Sequence, residues 1–163
     1  MEKCVKMSKL IAVIRIRGTV GVPKEDEDTL KMLRLNKPNH MRILKPNPSI
    51  IGMIKKVEKY VTWGEIDLET LEMVLRKRGR LTGNRKLTDE YVKEKLGLNG
   101  IRELAEKIFN GEIDINDLKD FKPIFRLTPP SGGFKKSVKA FYSSNGELGY
   151  RGGEINKLIV RML

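Results

Sequence analysis

Lys9-Leu10-Ile11-Ala12-Val13-Ile14-Arg15-Ile16-Arg17 is the stretch on which the fold turns. Leu10 to Ile14 is a nearly continuous apolar run rich in β-branched residues, the pattern of a strand buried on both faces. Arg15 and Arg17 then alternate with Ile16, which brings one face of the strand end to solvent or ligand. Gly18-Thr19-Val20-Gly21-Val22-Pro23 is a turn-rich connection. Pro23 and the acids Glu25 to Asp28 open a helix whose apolar side carries Leu30, Met32 and Leu33, with the acids at the positive end of its dipole. Lys37-Pro38-Asn39 ends it, and Met41 to Leu44 is a second short strand. Asn47-Pro48 is an N-cap followed by proline at the first helical position, and Ile50, Ile51, Ile54 and Val57 mark one helical face. Tyr60 to Ile66 reads as a third strand. The first 66 residues thus form one α/β unit, strand–helix–strand–helix–strand.

Residues 67–163 read as a mostly helical, loop-rich extension. Asp67 caps a helix carrying Leu68, Leu71 and Leu75. Thr88 caps a second, which Gly97 closes, and Asn99 caps a third with Ile101, Leu104, Ala105 and Ile108 inward and Gly111 after it. Asp114 to Phe121 is a short acidic segment and Pro123 to Leu127 is extended. Thr128 to Gly133 is a Pro/Gly loop, Lys135 to Tyr142 a strand, and Asn145-Gly146 a turn. Ile155, Leu158, Ile159 and Met162 give a terminal amphipathic helix.

Charge narrows the function. The 33 basic and 21 acidic side chains leave a net charge of +12, which points to a polyanionic partner. Residues 1–65 carry 14 basic and 7 acidic groups, residues 66–127 carry 13 and 12, and residues 128–163 carry 6 and 2. The sharpest concentration is Arg76 to Lys86, where six of eleven residues are Lys or Arg and none is acidic. Such a segment cannot enter a core without stripping its cations of water. It faces solvent or phosphate, to which guanidinium groups bind bidentately. No apolar run approaches the roughly 18–20 residues that span a bilayer, so a membrane partner is not expected. The N-terminus lacks the pattern of a signal peptide. The single cysteine, Cys4, fits a reducing cytoplasm and reads as an incidental thiol.

Catalysis has little to build on. His40 is the only histidine, and the nearest hydroxyl, Ser49, sits in a helix-capping context. One Cys and one His cannot complete a structural zinc site. Asp26 and Asp28 read as first-turn helix acids rather than an acid/base pair. Ser131-Gly132-Gly133-Phe134-Lys135-Lys136-Ser137 lacks the spacing of a nucleotide-hydrolysing phosphate loop. It still suits phosphate binding through its backbone, the plainer alternative being a turn that feeds a hairpin. Thr88 to Phe109 loosely resembles a helix-turn-helix, which leaves a basic DNA-binding or regulatory protein using residues 88–110 as the second reading. Glu103, Glu106 and Glu112 would oppose DNA there. Aromatic residues are scattered without a single-strand-binding motif, which favours recognition by shape and phosphate; Trp63 reads as core.

Taken in order, these segments resemble the universal large-subunit ribosomal protein L-thirty family, L-seven in eukaryotes, in its archaeal form. Residues 10–66, with Ile11 to Arg17, Gly18-Thr19-Val20-Gly21 and Pro48-Ser49-Ile50-Ile51-Gly52-Met53-Ile54, are similar to the short bacterial form. Arg76-Lys77-Arg78-Gly79, Leu87-Thr88-Asp89, Leu127-Thr128-Pro129-Pro130-Ser131-Gly132-Gly133 and Gly153-Glu154-Ile155-Asn156-Lys157-Leu158-Ile159 are similar to the archaeal and eukaryotic extension. The long basic N-terminal arm of eukaryotic members is missing, and Met1 and Met7 are both candidate starts. The resemblance implies an α+β fold with a three-stranded sheet in order 3-1-2 and helices on one face, distantly ferredoxin-like. It also implies a non-enzymatic, cofactor-free constituent of the cytoplasmic ribosome. Its partners would be large-subunit rRNA of the 23S type and neighbouring large-subunit proteins, with 5S rRNA as a further candidate neighbour. Carried over by position, Arg17, Gly18, Lys24, Arg34, Lys37, Asn39 and His40 would contact RNA from the core unit. Arg76, Lys77, Arg78, Arg80, Asn84, Arg85 and Lys86 would form a second patch. Ser131, Gly132, Gly133, Lys135 and Lys136 would form a third.

Overall fold

The computed structural model describes residues 10–18, 20–118 and 120–163. Cys4, both candidate starts, Lys9 and Thr19 lie outside the described residues. The core unit runs β1 (Ile11–Arg15), α1 (Lys24–Met32), β2 (His40–Leu44), α2 (Pro48–Lys56) and β3 (Val61–Glu65). These strands are antiparallel in the expected order, with β1 between β2 and β3. The Asn47 side chain accepts from Ile50 N–H at 2.8 Å, the N-cap that Asn47-Pro48 predicts.

Period-two alternation along β1 explains its unbroken apolar run. Ile11 and Val13 join Leu30, Leu33, Ile54, Val57 and Trp63 beneath α1 and α2. Ala12 and Ile14 point the other way, joining Met41 and Ile43 in a second core. That second face is covered by the extension: α3 (Leu68–Arg78), α5 (Ile101–Phe109) and α6 (Ile155–Met162). Leu71, Val74, Leu75, Leu104, Ile108, Leu158 and Ile159 fill it. The extension also supplies strands. β4 (Arg80–Leu81) pairs with β5 (Phe121–Lys122), while β6 (Ile124–Arg126), β7 (Ser137–Phe141) and β8 (Gly146–Tyr150) enlarge the main sheet. Its order is β6-β2-β1-β3-β8-β7, so both edges of the core sheet are extended. Among the described residues no helix is long and apolar enough to cross a membrane.

Several local expectations change. Arg15 does not reach solvent: it is 1% exposed, inside the strand. Met32 lies outside the core at 65% exposed, because the helix turns Leu30 and Leu33 inward. Thr88 does cap the short α4 (Asp89–Tyr91), accepting from Tyr91 N–H at 3.2 Å, and a π-helical stretch Val92–Leu96 follows to the left-handed Gly97. The third helix is not capped by the Asn99 side chain. Asp89 instead reaches across and accepts from Ile101 N–H at 2.8 Å. This bond is the main reason that the Asp89 carboxyl is held below its usual range. Its stabilisation is present at neutral pH and fades as acid protonates the group.

At the other edge, the Tyr150 ring packs on Trp63 with centroids 4.7 Å apart, and its hydroxyl donates to Glu65 at 2.6 Å. Burial, then the Glu65 hydrogen bond and charge, push the phenol up to about 12 from 10. A raised phenol favours the fold fully below pH 10 and loses that contribution as pH rises to about 12. Alkaline absorbance titration should therefore show a late tyrosinate step that Tyr150→Phe removes; a curve unchanged by the substitution would contradict the assignment.

Candidate nucleic-acid interface

The loop between α1 and β2 is shaped by two buried arginines. Arg15 Nη1 donates to Leu35 O at 2.8 Å and Nε to Arg17 O at 2.9 Å. Arg42 donates to Leu33 O at 2.9 Å and to the Asn116 side chain. Burial, then the neighbouring charge of Arg34, push the Arg42 guanidinium down to about 10, well above neutrality, so it remains a charged donor. Held this way, the loop takes left-handed backbone at Arg34 (φ 58°) and Asn39 (φ 68°). Asn39 O also accepts from Leu127 N–H at 3.0 Å, which ties the loop to the extension just beyond β6.

That tie creates a site no single segment contains. Arg34, Lys37 and His40 from the core unit and Lys122, Ile124 and Arg126 from the extension line one cleft of about 520 Å³. Arg126 stands opposite His40 in the β2–β6 ladder. Among the described residues lining this cleft there is no acid. His40 is held below its usual range, first by burial and then by Arg126, Lys37 and Arg15, so it is neutral at neutral pH.

The second predicted patch meets this cleft through the β4–β5 ladder. Arg80 lies directly opposite Lys122 on one side and is bridged to Lys86 on the other. Three like charges side by side repel one another, a cost that a bound polyanion removes. Asn84 (φ 63°) makes the turn that returns Lys86 to Arg80. Arg85 and Lys77 are exposed around it, with Arg78 half-buried. Arg76 to Arg78 form the last turn of α3 rather than a loop.

Arg76 stands apart. Its guanidinium is 3.0 Å from Glu72 and 3.4 Å from Asp89. Arg102 joins the same network, 2.6 Å from Glu72 and 3.2 Å from Glu106. These cations are already paired within the protein, whereas Arg34, Lys37, Arg80, Lys86, Lys122 and Arg126 have no ion-pair partner among the described residues. The network also removes the support for DNA reading by residues 88–110. Both basic side chains on α5, Arg102 and Lys107, are engaged by acids, and α4 is a single short turn before the π-helical stretch.

The remaining predicted residues are spread out. Arg17 lies 5.8 Å over the Tyr60 ring, Gly18 is exposed beside it, and Lys24 is exposed at the start of α1. In the third patch, Ser131, Gly132 and Gly133 fold over the end of α6, where Arg161 donates to Ser131 O at 3.1 Å and to Gly133 O. Gly132 and Gly133 both take positive φ, at 78° and 75°. Lys135 and Lys136 line a different cleft with Arg151, Lys157, Arg161 and two glutamates. Lys122 and Arg126 were absent from the predicted set. Their signal was the alternation of Lys122, Ile124 and Arg126 against the buried Phe121, Phe125 and Leu127.

Comparison with known proteins gives this arrangement a context. Residues 11–61 match the family model described as Ribosomal protein L30p/L7e. The large ribosomal subunit protein uL30 of Hyperthermus butylicus is 55% identical, the alignment covering 99% of this chain and 94% of the relative. The protein of the same name from Archaeoglobus fulgidus is 52% identical, covering 94% and 99%. That from Methanococcus maripaludis is also 52% identical, covering 93% and 98%.

Proposed function

The chain belongs to the ribosomal protein L30p/L7e family, and from that premise we propose that it is an archaeal-type structural constituent of the large ribosomal subunit. It binds and stabilises large-subunit rRNA during assembly and translation and has no catalysis of its own. One observation carries the reading at residue level: cations from both the core unit and the extension, none ion-paired among the described residues, converge on a cleft whose described lining holds no acid and on the Lys86–Arg80–Lys122 row beside it. Phosphates of the rRNA backbone occupy this surface.

Residues 1–66 act as the core RNA-binding unit, and residues 67–163 add the second side of the cleft and the loop of Ser131 to Lys136. The rRNA is of the 23S type, with 5S rRNA and other large-subunit proteins as neighbours of the ribosome-bound, cytoplasmic protein. Roughly six phosphate contacts would make affinity fall about a thousandfold between roughly 50 and 200 mM salt. Binding to large-subunit rRNA and to duplex DNA at matched salt tests this reading. Tighter binding to rRNA with that steep salt slope is expected. Equal or tighter binding to the duplex would overturn it.

A further inference from the structure

A second concave surface lies at the opposite edge of the sheet, away from the cationic cleft. Glu58, Phe141, Tyr142, Ser143, Gly149 and Tyr150 enclose about 410 Å³ there. Two of its walls are aromatic side chains left unusually open, Phe141 at 40% and Tyr150 at 48% exposed. Tyr150 is nevertheless fixed in place, with its ring against Trp63 and its hydroxyl on Glu65. A rigid exposed ring is a stacking surface that loses little freedom on binding. Gly149 (φ 82°) keeps the floor low, since a side chain there would press on Phe141 and reach Glu58.

The polar groups select the occupant. Glu58 lines the cleft and, as a carboxylate, only accepts hydrogen bonds. It repels a phosphate but suits a partner with two adjacent donors. Of the four RNA bases, guanine alone presents two neighbouring donor groups on its Watson–Crick edge, N1–H and N2–H; each of the others has a single donor group beside an acceptor. At the rim, Lys136 Nζ sits 4.3 Å from the Tyr142 ring centroid, while the buried Arg151, 3.5 Å from Glu147, packs 5.0 Å from the same centroid. Lys139 is exposed on the adjoining β7. This positive rim attracts the phosphates that flank a base and repels an arginine from a protein neighbour, the other group that would fit rings beside a carboxylate.

We propose that this cleft receives one unpaired guanine of the bound RNA, stacked on Phe141 and Tyr150 with its Watson–Crick edge on Glu58. The inference rests on the rRNA-binding reading above and adds a base-selective contact to a surface otherwise dominated by phosphate. Such a contact would fix the register in which the cationic cleft meets the RNA.

The test is kethoxal probing, which modifies the N1/N2 edge of unpaired guanines. Deproteinised large-subunit rRNA is saturated with the full-length protein or its variants, with folding checked by circular dichroism. The wild type is expected to protect a guanine that Tyr150→Ala and Glu58→Ala return to reactivity, while Tyr150→Phe keeps it protected. Affinity should fall about tenfold in Tyr150→Ala. Should Tyr150→Ala fail to fold, Phe141→Ala on the exposed wall carries the same expectation. Identical guanine protection by wild type and all folded variants at saturation would overturn the proposal while leaving the rRNA-binding reading intact. Identical protection, combined with loss of Tyr150→Ala from assembled subunits, would also overturn it and assign the cleft to a protein neighbour. Absence of saturable, salt-dependent rRNA binding by the wild type would overturn both readings together.

Discussion

Replacing Arg34, Lys37, Lys122 and Arg126 together by alanine should weaken binding to large-subunit rRNA by about two to three orders of magnitude at roughly 0.15 M salt. The same variant should flatten the slope of log affinity against log salt by about three to four, because each lost phosphate contact releases fewer counterions. All four side chains line the cleft, and none has an ion-pair partner among the described residues, so their removal breaks no internal bridge there. Removing four mutually repelling charges should leave thermal stability unchanged or slightly raised. Arg76→Ala provides the contrast. Its charge is already engaged by Glu72 and Asp89, so the salt slope should barely move, although the residue belongs to the densest basic run in the sequence. Filter binding or fluorescence anisotropy over a salt series measures both. Equal slopes for the fourfold variant and the wild type would remove the cleft from the interface.

Gly64→Ala should be strongly damaging for a single added methyl, costing about 2–3 kcal/mol or more and lowering the melting temperature by about 5–10 °C. Gly64 lies in β3 opposite Ala12, and an added Cβ would overlap the Gly152 carbonyl and crowd Ile155. The extension crosses the core sheet there, just before α6 docks. Relief requires moving backbone rather than turning a side chain, hence the large expected cost. Gly52→Ala is the matched control. It lies in α2 with nothing near its would-be Cβ, so alanine should stabilise by about 0.5–1 kcal/mol through helix propensity. Calorimetry on both variants decides the matter. A Gly64→Ala protein as stable as the wild type would mean that the extension does not press on the sheet as described.

The core unit was legible because its signals are local. The unbroken apolar run of β1, the Asn47-Pro48 cap and the spacing of Ile54 and Val57 each act within a few residues, and the structure follows them. The apolar faces of α5 and α6 were legible for the same reason. The features that local sequence does not encode depend on distant partners. Arg15 looks like a solvent-facing end of an alternating strand, yet the carbonyls of Leu35 and Arg17 make its burial tolerable. Met32 has the right spacing for the α1 core face, but packing uses the two leucines beside it. Asn99 has the composition of a cap, while Asp89 supplies it from across a turn.

The candidate interface shows the same division. Arg34, Lys37, Asn39, His40, Arg80 and Lys86 read from the sequence as basic or polar candidates for RNA contact. Their meeting with Lys122 and Arg126 depends on the β4–β5 and β2–β6 ladders, which join segments far apart in sequence. A run of cations likewise does not reveal which charges are neutralised at home. Among the described residues Arg76 is, and Arg80 is not, because only the first stands one helical turn from Glu72 and within reach of Asp89.

The central claim is that this chain is an integral part of the large ribosomal subunit, and sedimentation of the native protein tests it most directly. Cell lysate is run through a sucrose gradient before and after a moderate-salt wash, with the protein quantified against a large-subunit marker. Stoichiometric co-migration with the large subunit, retained through the wash, is the predicted result. Recovery at the top of the gradient, or only trace amounts on ribosomes, would contradict it.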